Sequence, residues 1–239
     1  MTMALNSTSV NRYPAGLSDQ AEDTIFSSAP FPTKGLVNFY QYYNDFMAYL
    51  AGDWTITNAN GGTLALRDEA GGVLRVTNGA TAAWLVSAQK VGNAFLPVVG
   101  KRFFGRIKIR TDDVINGAIL AGLALTDTTP LDATDGIFII KADAAAAVLL
   151  TVANAATAGN RETLALGSMV NDTFFTVDLF YDGGDRLYAA VNGAMIGYLT
   201  YSTTYVPDVA VTPTFFRSNG AAGASEILDI DTLWFAQER

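Results

Sequence analysis

The stretch "FFTVDLFYDGGDRLYAAVNGAMIGYL", residues 174–199, sets two acids around two glycines and an Asn-Gly pair a little further on. Together these features dictate antiparallel strands. Phe175, Val177, Leu179 and Tyr181 alternate with Thr176, Asp178 and Phe180, and a period of two marks a strand. The tetrad Asp182-Gly183-Gly184-Asp185 fits a hairpin loop, because glycine reaches the positive φ angles that such a loop needs. Asn192-Gly193 is the preferred pair for a type I′ turn, so RLYAAV and AMIGYL form a second hairpin. The two acids are then turn residues. A calcium loop would need about six or more converging oxygens, which two acids in a glycine turn do not supply. Phe180 shares its face with Thr176 and Asp178, so the sheet is apolar on both sides. Its outer face is expected to be partly covered, by an N-terminal arm or by another subunit.

From about residue 50 the chain breaks into short apolar, β-branched and aromatic runs separated by Gly, Asn, Asp and Pro. Besides the strands above these are TLALRD (63–68), GVLRVTN (72–78), AAWLVSAQ (82–89), RFFGRIKIR (102–110), AILAGLALTD (118–127) and GIFIIKA (136–142). AVLLTVAN (147–154), ETLALG (162–167), TPTFFR (212–217) and EILDIDTLWFAQE (226–238) complete the set. Such spacing predicts an all-β sandwich or barrel. The Ala-rich segment 142–159 is read as strand through Val148, Thr151 and Val152, against the helical preference of alanine. No fixed-period repeat argues for a propeller or solenoid.

Three regions follow. Residues 1–36, with Ser, Thr, Asn, Gly and three prolines, read as an extended arm that could reach on the order of 100 Å. Residues 37–53 form an aromatic connecting segment, and residues 54–239 the sandwich. Within the connecting segment Phe39, Tyr42, Tyr43, Phe46, Met47 and Leu50 follow the i, i+3, i+4 spacing of a short amphipathic helix, with an extended aromatic strand as the rival.

Half of the 239 residues are hydrophobic, enough for one sizeable core. Fifteen basic residues against 23 acidic ones leave a net charge of -8, which disfavours nucleic acid phosphates and anionic membranes as partners. No apolar run approaches the roughly 18 residues of a membrane span, and MTMALNSTSVNRY shows no apolar core of a cleaved secretory signal. The reading is a soluble protein. With no cysteine and no histidine, disulfides, thiolate nucleophiles, zinc-thiolate sites and Ser-His or Cys-His pairs are excluded. Carboxylates, Lys, Tyr and backbone remain for chemistry, and no cofactor is expected.

Several clusters are candidate sites. In RFFGRIKIR, Arg102, Arg106, Lys108 and Arg110 fall on one face and Phe103, Ile107 and Ile109 on the other; the basic face could meet an acidic partner or a glycan acid, or lie solvated opposite acidic strands. With the aromatic residues Phe39, Tyr40, Tyr42, Tyr43 and Phe46 it makes up the candidate interface. Asp127, Asp132 and Asp135 share a loop that matches no complete metal-ligand pattern, and Asx turns explain them equally well. Asp229 and Asp231 lie at i and i+2 on one strand, about 6.6 Å apart by strand rise, between the separations of retaining and inverting glycosidases. Glu22, Glu69, Glu162, Glu226 and Glu238 supply no paired run to go with them, so no catalytic residue is assigned. Trp54, Trp84 and Trp234 could build a sugar-stacking platform, although core and interface packing accounts for most aromatics. Asn6-Ser7-Thr8 and Asn171-Asp172-Thr173 match the glycosylation sequon.

Taken in order, "YYNDFMAYLAGDW", "GGTLALRDEAGGVLRVTNG", "FFGRIKIR", "AGLALTD", "FFTVDLFYDGGDRLYAAVNG" and "DIDTLWFAQER" resemble the concanavalin A-like, laminin-G-like jelly-roll proteins in virions of tailed bacteriophages. The resemblance covers roughly residues 40–239. It implies a two-sheet antiparallel jelly-roll sandwich carrying an extended N-terminal arm, made in the host bacterial cytoplasm and placed on the capsid surface of the virion. The implied role is capsid decoration, as a cement protein, with the major capsid protein shell and further copies of itself, in a homotrimer, as partners. A glycan-binding tail or receptor-recognition module is the alternative, and a glycoside hydrolase a third.

Overall fold

The computed structural model describes residues 39–59, 61–81, 84–92, 94–154, 160–220 and 225–239. The arm expected over 1–36 and the sequon at Asn6 lie outside them. Among the described residues are fifteen strands, short 3-10 turns at Ala51–Asp53 and Pro130–Asp132, and no α-helix. The strands are β1 (Phe39–Asn44), β2 (Trp54–Ala59), β3 (Thr63–Arg67), β4 (Val73–Thr77), β5 (Leu85–Lys90), β6 (Phe103–Thr111), β7 (Ile119–Ala124) and β8 (Gly136–Lys141). They continue as β9 (Ala147–Ala153), β10 (Arg161–Ser168), β11 (Phe175–Tyr181), β12 (Arg186–Val191), β13 (Ala194–Thr200), β14 (Thr212–Ser218) and β15 (Ile227–Glu238).

They form two antiparallel sheets. An eight-stranded sheet runs β13-β12-β11-β6-β15-β4-β3, with β1 also paired to β15, and a seven-stranded sheet runs β10-β9-β8-β7-β14-β5-β2. Of the sandwich or barrel expected from the runs, the fold is the sandwich, with the two sheets that the resemblance implied. Alternation along each strand sends one set of side chains between the sheets: Phe103, Ile107 and Ile109 of β6, Val177 and Leu179 of β11, and Leu228 and Ile230 of β15 meet Ile119, Ile137, Leu150 and Phe215 of the other sheet in one core. In β15 the register shifts between Ile230 and Thr232. That bulge resets the alternation, so Leu233 and Phe235 also point into the core.

Two hairpins are as the opening stretch dictates. Gly183 has φ 101°, and Asn192 and Gly193 have φ 50° and 84°, the left-handed pair that a type I′ turn requires. Asp182 Oδ1 accepts the Gly184 N–H at 2.8 Å, and Asn192 Oδ1 accepts that of Thr176 at 3.0 Å. The Asp182 side chain closes its turn, whereas that of Asn192 ties the second hairpin back to β11.

The segment around residue 40 departs from the helical expectation. β4 covers β15 only over Ile227–Ile230, which leaves the rest of that edge of β15 open. Phe39–Asn44 fills it, from Phe39 opposite Glu238 to Asn44 opposite Leu233. Ladder hydrogen bonds from a distant strand thus override a local i, i+3 spacing, and the sheet begins before the expected boundary at residue 54. Asn44 Oδ1 then accepts the Phe46 N–H at 2.8 Å, turning the chain with Phe46 at φ 53°. A bulky residue in that region is strained, and burial offsets the strain: Phe46 is wholly enclosed and stacks on Trp54 at 6.3 Å. Gly72 makes room for the turn, since a Cβ there would lie 2.5 Å from the Asp45 carbonyl oxygen.

Candidate functional site

The outer face of the eight-stranded sheet gathers most of the residues singled out in the sequence. Phe104, Phe180, Tyr188 and Tyr198 stand opposite one another in register across β6, β11, β12 and β13. Their ring centroids are 5.1, 6.4 and 5.9 Å apart in that order, a cross-strand aromatic ladder. Phe39 and Trp234 extend it past Phe104, at 6.1 and 6.3 Å. The ladder is graded. Phe104 and Trp234 are buried, whereas Tyr198 is 48% exposed at the β13 margin, beside Met195 at 57% and Ile196 at 44%.

The basic strand lies alongside. Arg106 donates to Asp178 at 2.7 and 3.1 Å, Lys108 to Asp231 at 2.9 Å, and Arg110 to Asp229 at 2.9 Å and to Glu69 at 2.7 and 2.9 Å. Arg75 grips Asp229 from the other side at 2.7 and 2.8 Å, and Arg67 adds a bond of 3.2 Å. Arg106 stands directly opposite Asp178 and Arg110 opposite Asp229, so the strand register itself makes these pairs. Phe174 lies under both Lys108 Nζ and the Arg110 guanidinium, at 4.7 and 4.5 Å. Arg102 pairs with Glu238 at the start of the strand and lies over Phe39 at 5.1 Å.

This arrangement sets the protonation of the acids. Burial raises the Asp229 carboxyl, but hydrogen bonds from Arg75 and Arg110 outweigh it and hold Asp229 below the usual carboxylate range. At Asp178 burial wins over the bond from Arg106, and its pKa is raised. The spacing that suggested a paired acid site is thus occupied: Asp229 serves three arginines, and Asp231 sits at the bulge on Lys108.

The remaining candidates are dispersed. Tyr43 is exposed, with its hydroxyl 3.4 Å from Asp45. Tyr40 meets Phe95 edge-on at 4.9 Å, and with Tyr42 and Lys90 they line a cleft of about 340 Å³. Phe46, expected among the contact residues, is in the core. The tryptophans do not meet in a platform, since Trp54 packs on Phe215 in the core, Trp234 on Phe104 outside it, and Trp84 on Gly79 near one end. Asp127 Oδ1 accepts the Thr129 N–H at 2.9 Å as an Asx turn, while its own N–H binds Gln89 and seats the loop on the outer face of the seven-stranded sheet. Among the described residues no group of three or more acidic side chains is placed to hold a metal ion. Asn171 is exposed and accepts the Val114 N–H at 2.9 Å.

One cluster was missed. Arg217 and Lys141 are fully buried, and Glu226 closes on Arg217 at 2.5 Å. The signal was present in the alternation: Phe215 and Arg217 share one strand face, as do Ile137, Ile139 and Lys141.

No protein-family model matches the chain, and no curated protein matches it in sequence. Solved structures do resemble its fold. A protein of unknown function from Shewanella oneidensis MR-1 is 14% identical with a TM-score of 0.59, over 84% of this chain and 87% of that one. An endo-1,3-beta-glucanase from Streptomyces sioyaensis is 12% identical with a TM-score of 0.59, over 88% and 99%. Peanut lectin is 14% identical with a TM-score of 0.56, over 83% and 97%. At such identities the likeness concerns the fold alone: the chain is a concanavalin A-like, lectin-like jelly-roll sandwich.

Proposed function

We propose that this chain is a non-enzymatic structural protein of a tailed-phage virion, a capsid decoration protein that docks on the major capsid protein shell. One observation carries the reading. On the outer face of the large sheet the acids and bases are spent on one another, while apolar side chains, Met195, Ile196 and Tyr198, are left in solvent at its margin. Such a face suits a protein contact, where buried aromatic anchors count and charged groups must arrive already paired. The sequence resemblance to phage jelly-roll proteins supplies the virion, and the net charge of -8 suits a partner other than packaged nucleic acid.

Quantitative mass spectrometry of purified particles of the encoding phage, scaled to the major shell protein, tests it. Hundreds of copies per particle are expected. A handful would place the chain in a tail or fibre, and absence would overturn the virion reading.

A glycan-binding reading has its own support. The Arg186 guanidinium lies 4.3 Å over the exposed Tyr198 ring, and Tyr188 follows next in the ladder, a pairing of aromatic face and donors that a sugar could use. Binding on a glycan array that Tyr198→Ala abolishes would favour this second reading.

A further inference from the structure

Where β4 leads to β5 and β14 leads to β15, polar side chains are enclosed together. Arg217 Nη2 donates to Glu226 Oε2 at 2.5 Å and to the Asp113 carbonyl at 3.2 Å. Asn78 Nδ2 donates to the Arg217 carbonyl at 3.2 Å, and the Asn78 N–H to the Glu226 carbonyl at 2.9 Å. Asn219 Nδ2 donates to the carbonyls of Gly79 and Thr81, and its N–H to that of Trp84 at 2.8 Å. All four side chains are at most 5% exposed. These bonds leave five of their atoms without a partner: Arg217 Nε and Nη1, Glu226 Oε1, Asn78 Oδ1 and Asn219 Oδ1.

A buried polar group left unmatched is destabilising, and five together would rival the small net stability of a whole domain. Something must bind them. The orphans include both donors and acceptors, and that mixture selects the ligand. An anion that satisfied the Arg217 N–H groups would meet the Glu226 carboxylate, and a cation held by the three oxygens would meet the Arg217 guanidinium. Only a small neutral molecule that both donates and accepts fits both halves.

We infer that Asn78, Arg217, Asn219 and Glu226 form a built hydration site, which holds about two buried water molecules given the two to four bonds each makes. The waters complete the polar contact between β14, in the seven-stranded sheet, and the chain entering β15, in the eight-stranded one. They let a guanidinium and a carboxylate stay buried between the sheets. Burial acts on the pair as this enclosure requires, lowering Arg217 and raising Glu226 from their ordinary values.

A crystal structure of the native chain at about 1.5 Å resolution, with a parallel bromide soak, tests the site. Solvent peaks at roughly 2.7–3.2 Å from the five atoms, without anomalous signal, are expected. A bromide peak, density with metal-like coordination, or side chains that pair directly with no solvent between them would overturn it. Water-oxygen relaxation dispersion on the same native protein should show long-lived internal water that the double substitution Arg217→Leu, Glu226→Leu reduces. A folded double variant with an unchanged signal would also sink the proposal.

Discussion

Phe104 on β6 and Phe180 on β11 stand directly opposite each other on the outer face of the large sheet and stack at 5.1 Å with 29° between their rings. Phe104 is fully buried there, although it points away from the core between the sheets. Phe104→Ala should therefore cost about 3–5 kcal/mol, as for a core phenylalanine. Tyr198→Ala, at the exposed end of the same ladder, should stay within about 1 kcal/mol. Urea denaturation of both variants checks the contrast, and equal losses would contradict the graded ladder.

Asp229 is held by Arg67, Arg75 and Arg110. Asp229→Asn should destabilise by about 3 kcal/mol, because it strands charged partners rather than removing a self-contained pair. Asp231→Asn, whose partner Lys108 is more open to solvent, should cost about 1 kcal/mol or less. Chemical denaturation of the two variants at neutral pH makes the comparison.

Gly72 has φ 79° and faces the backbone of Asp45–Met47. Gly72→Ala should cost about 1–3 kcal/mol from backbone strain alone, with a further loss from the contact. A Trp54 fluorescence shift should accompany it, since Phe46 stacks on that ring. A neutral substitution would mean that the turn carrying Phe46 can move.

Stability should peak near pH 10. Burial, assisted by Arg217, lowers Lys141 from 10.5 to about 8; above pH 8 the folded state sheds a proton that the unfolded chain keeps, so stability rises. Burial raises Tyr42 from 10.0 to about 12, so above pH 10 the unfolded state ionises first and stability falls. In acid, Asp229, depressed below 3.8, contributes stability that is lost as pH falls through its folded value, while the raised Asp178 and Glu226 act in the opposite sense. Thermal melts across pH 3–11 test the curve, and Lys141→Met should flatten its rise between about 8 and 10.

Ile196→Lys places a charge on an edge strand that has none, a common device against edge association. It should leave stability within about 0.5 kcal/mol and, under the proposed decoration role, weaken co-sedimentation with purified heads. Unchanged docking would move the contact surface away from the β13 margin.

Much of this molecule was legible in its residues. The runs from TLALRD to EILDIDTLWFAQE coincide with strands, and Asp182 to Asp185 and Asn192-Gly193 turn where their chemistry says they must. A period of two, glycine at positive φ and Asn-Gly pairs are local properties, set by sterics within a few residues. The basic face of β6 was also legible, as was an acid on each neighbouring strand.

Other features depended on parts of the chain far apart in sequence. Whether Phe39–Asn44 is helix or strand rests on an open edge of β15 nearly two hundred residues away. Asp229 and Asp231 read as a spaced pair of acids until the bulge in β15 separates them, with the arginines of β3, β4 and β6 on Asp229 and Lys108 on Asp231. Arg217 and Glu226 became a buried pair only when two sheets closed over them. The sequence by itself determined the elements, because backbone sterics and alternation act locally. Tertiary structure alone decided the pairings and protonation of the charged groups and which apolar side chains stayed in solvent, because desolvation and cross-strand register depend on what the rest of the chain brings alongside.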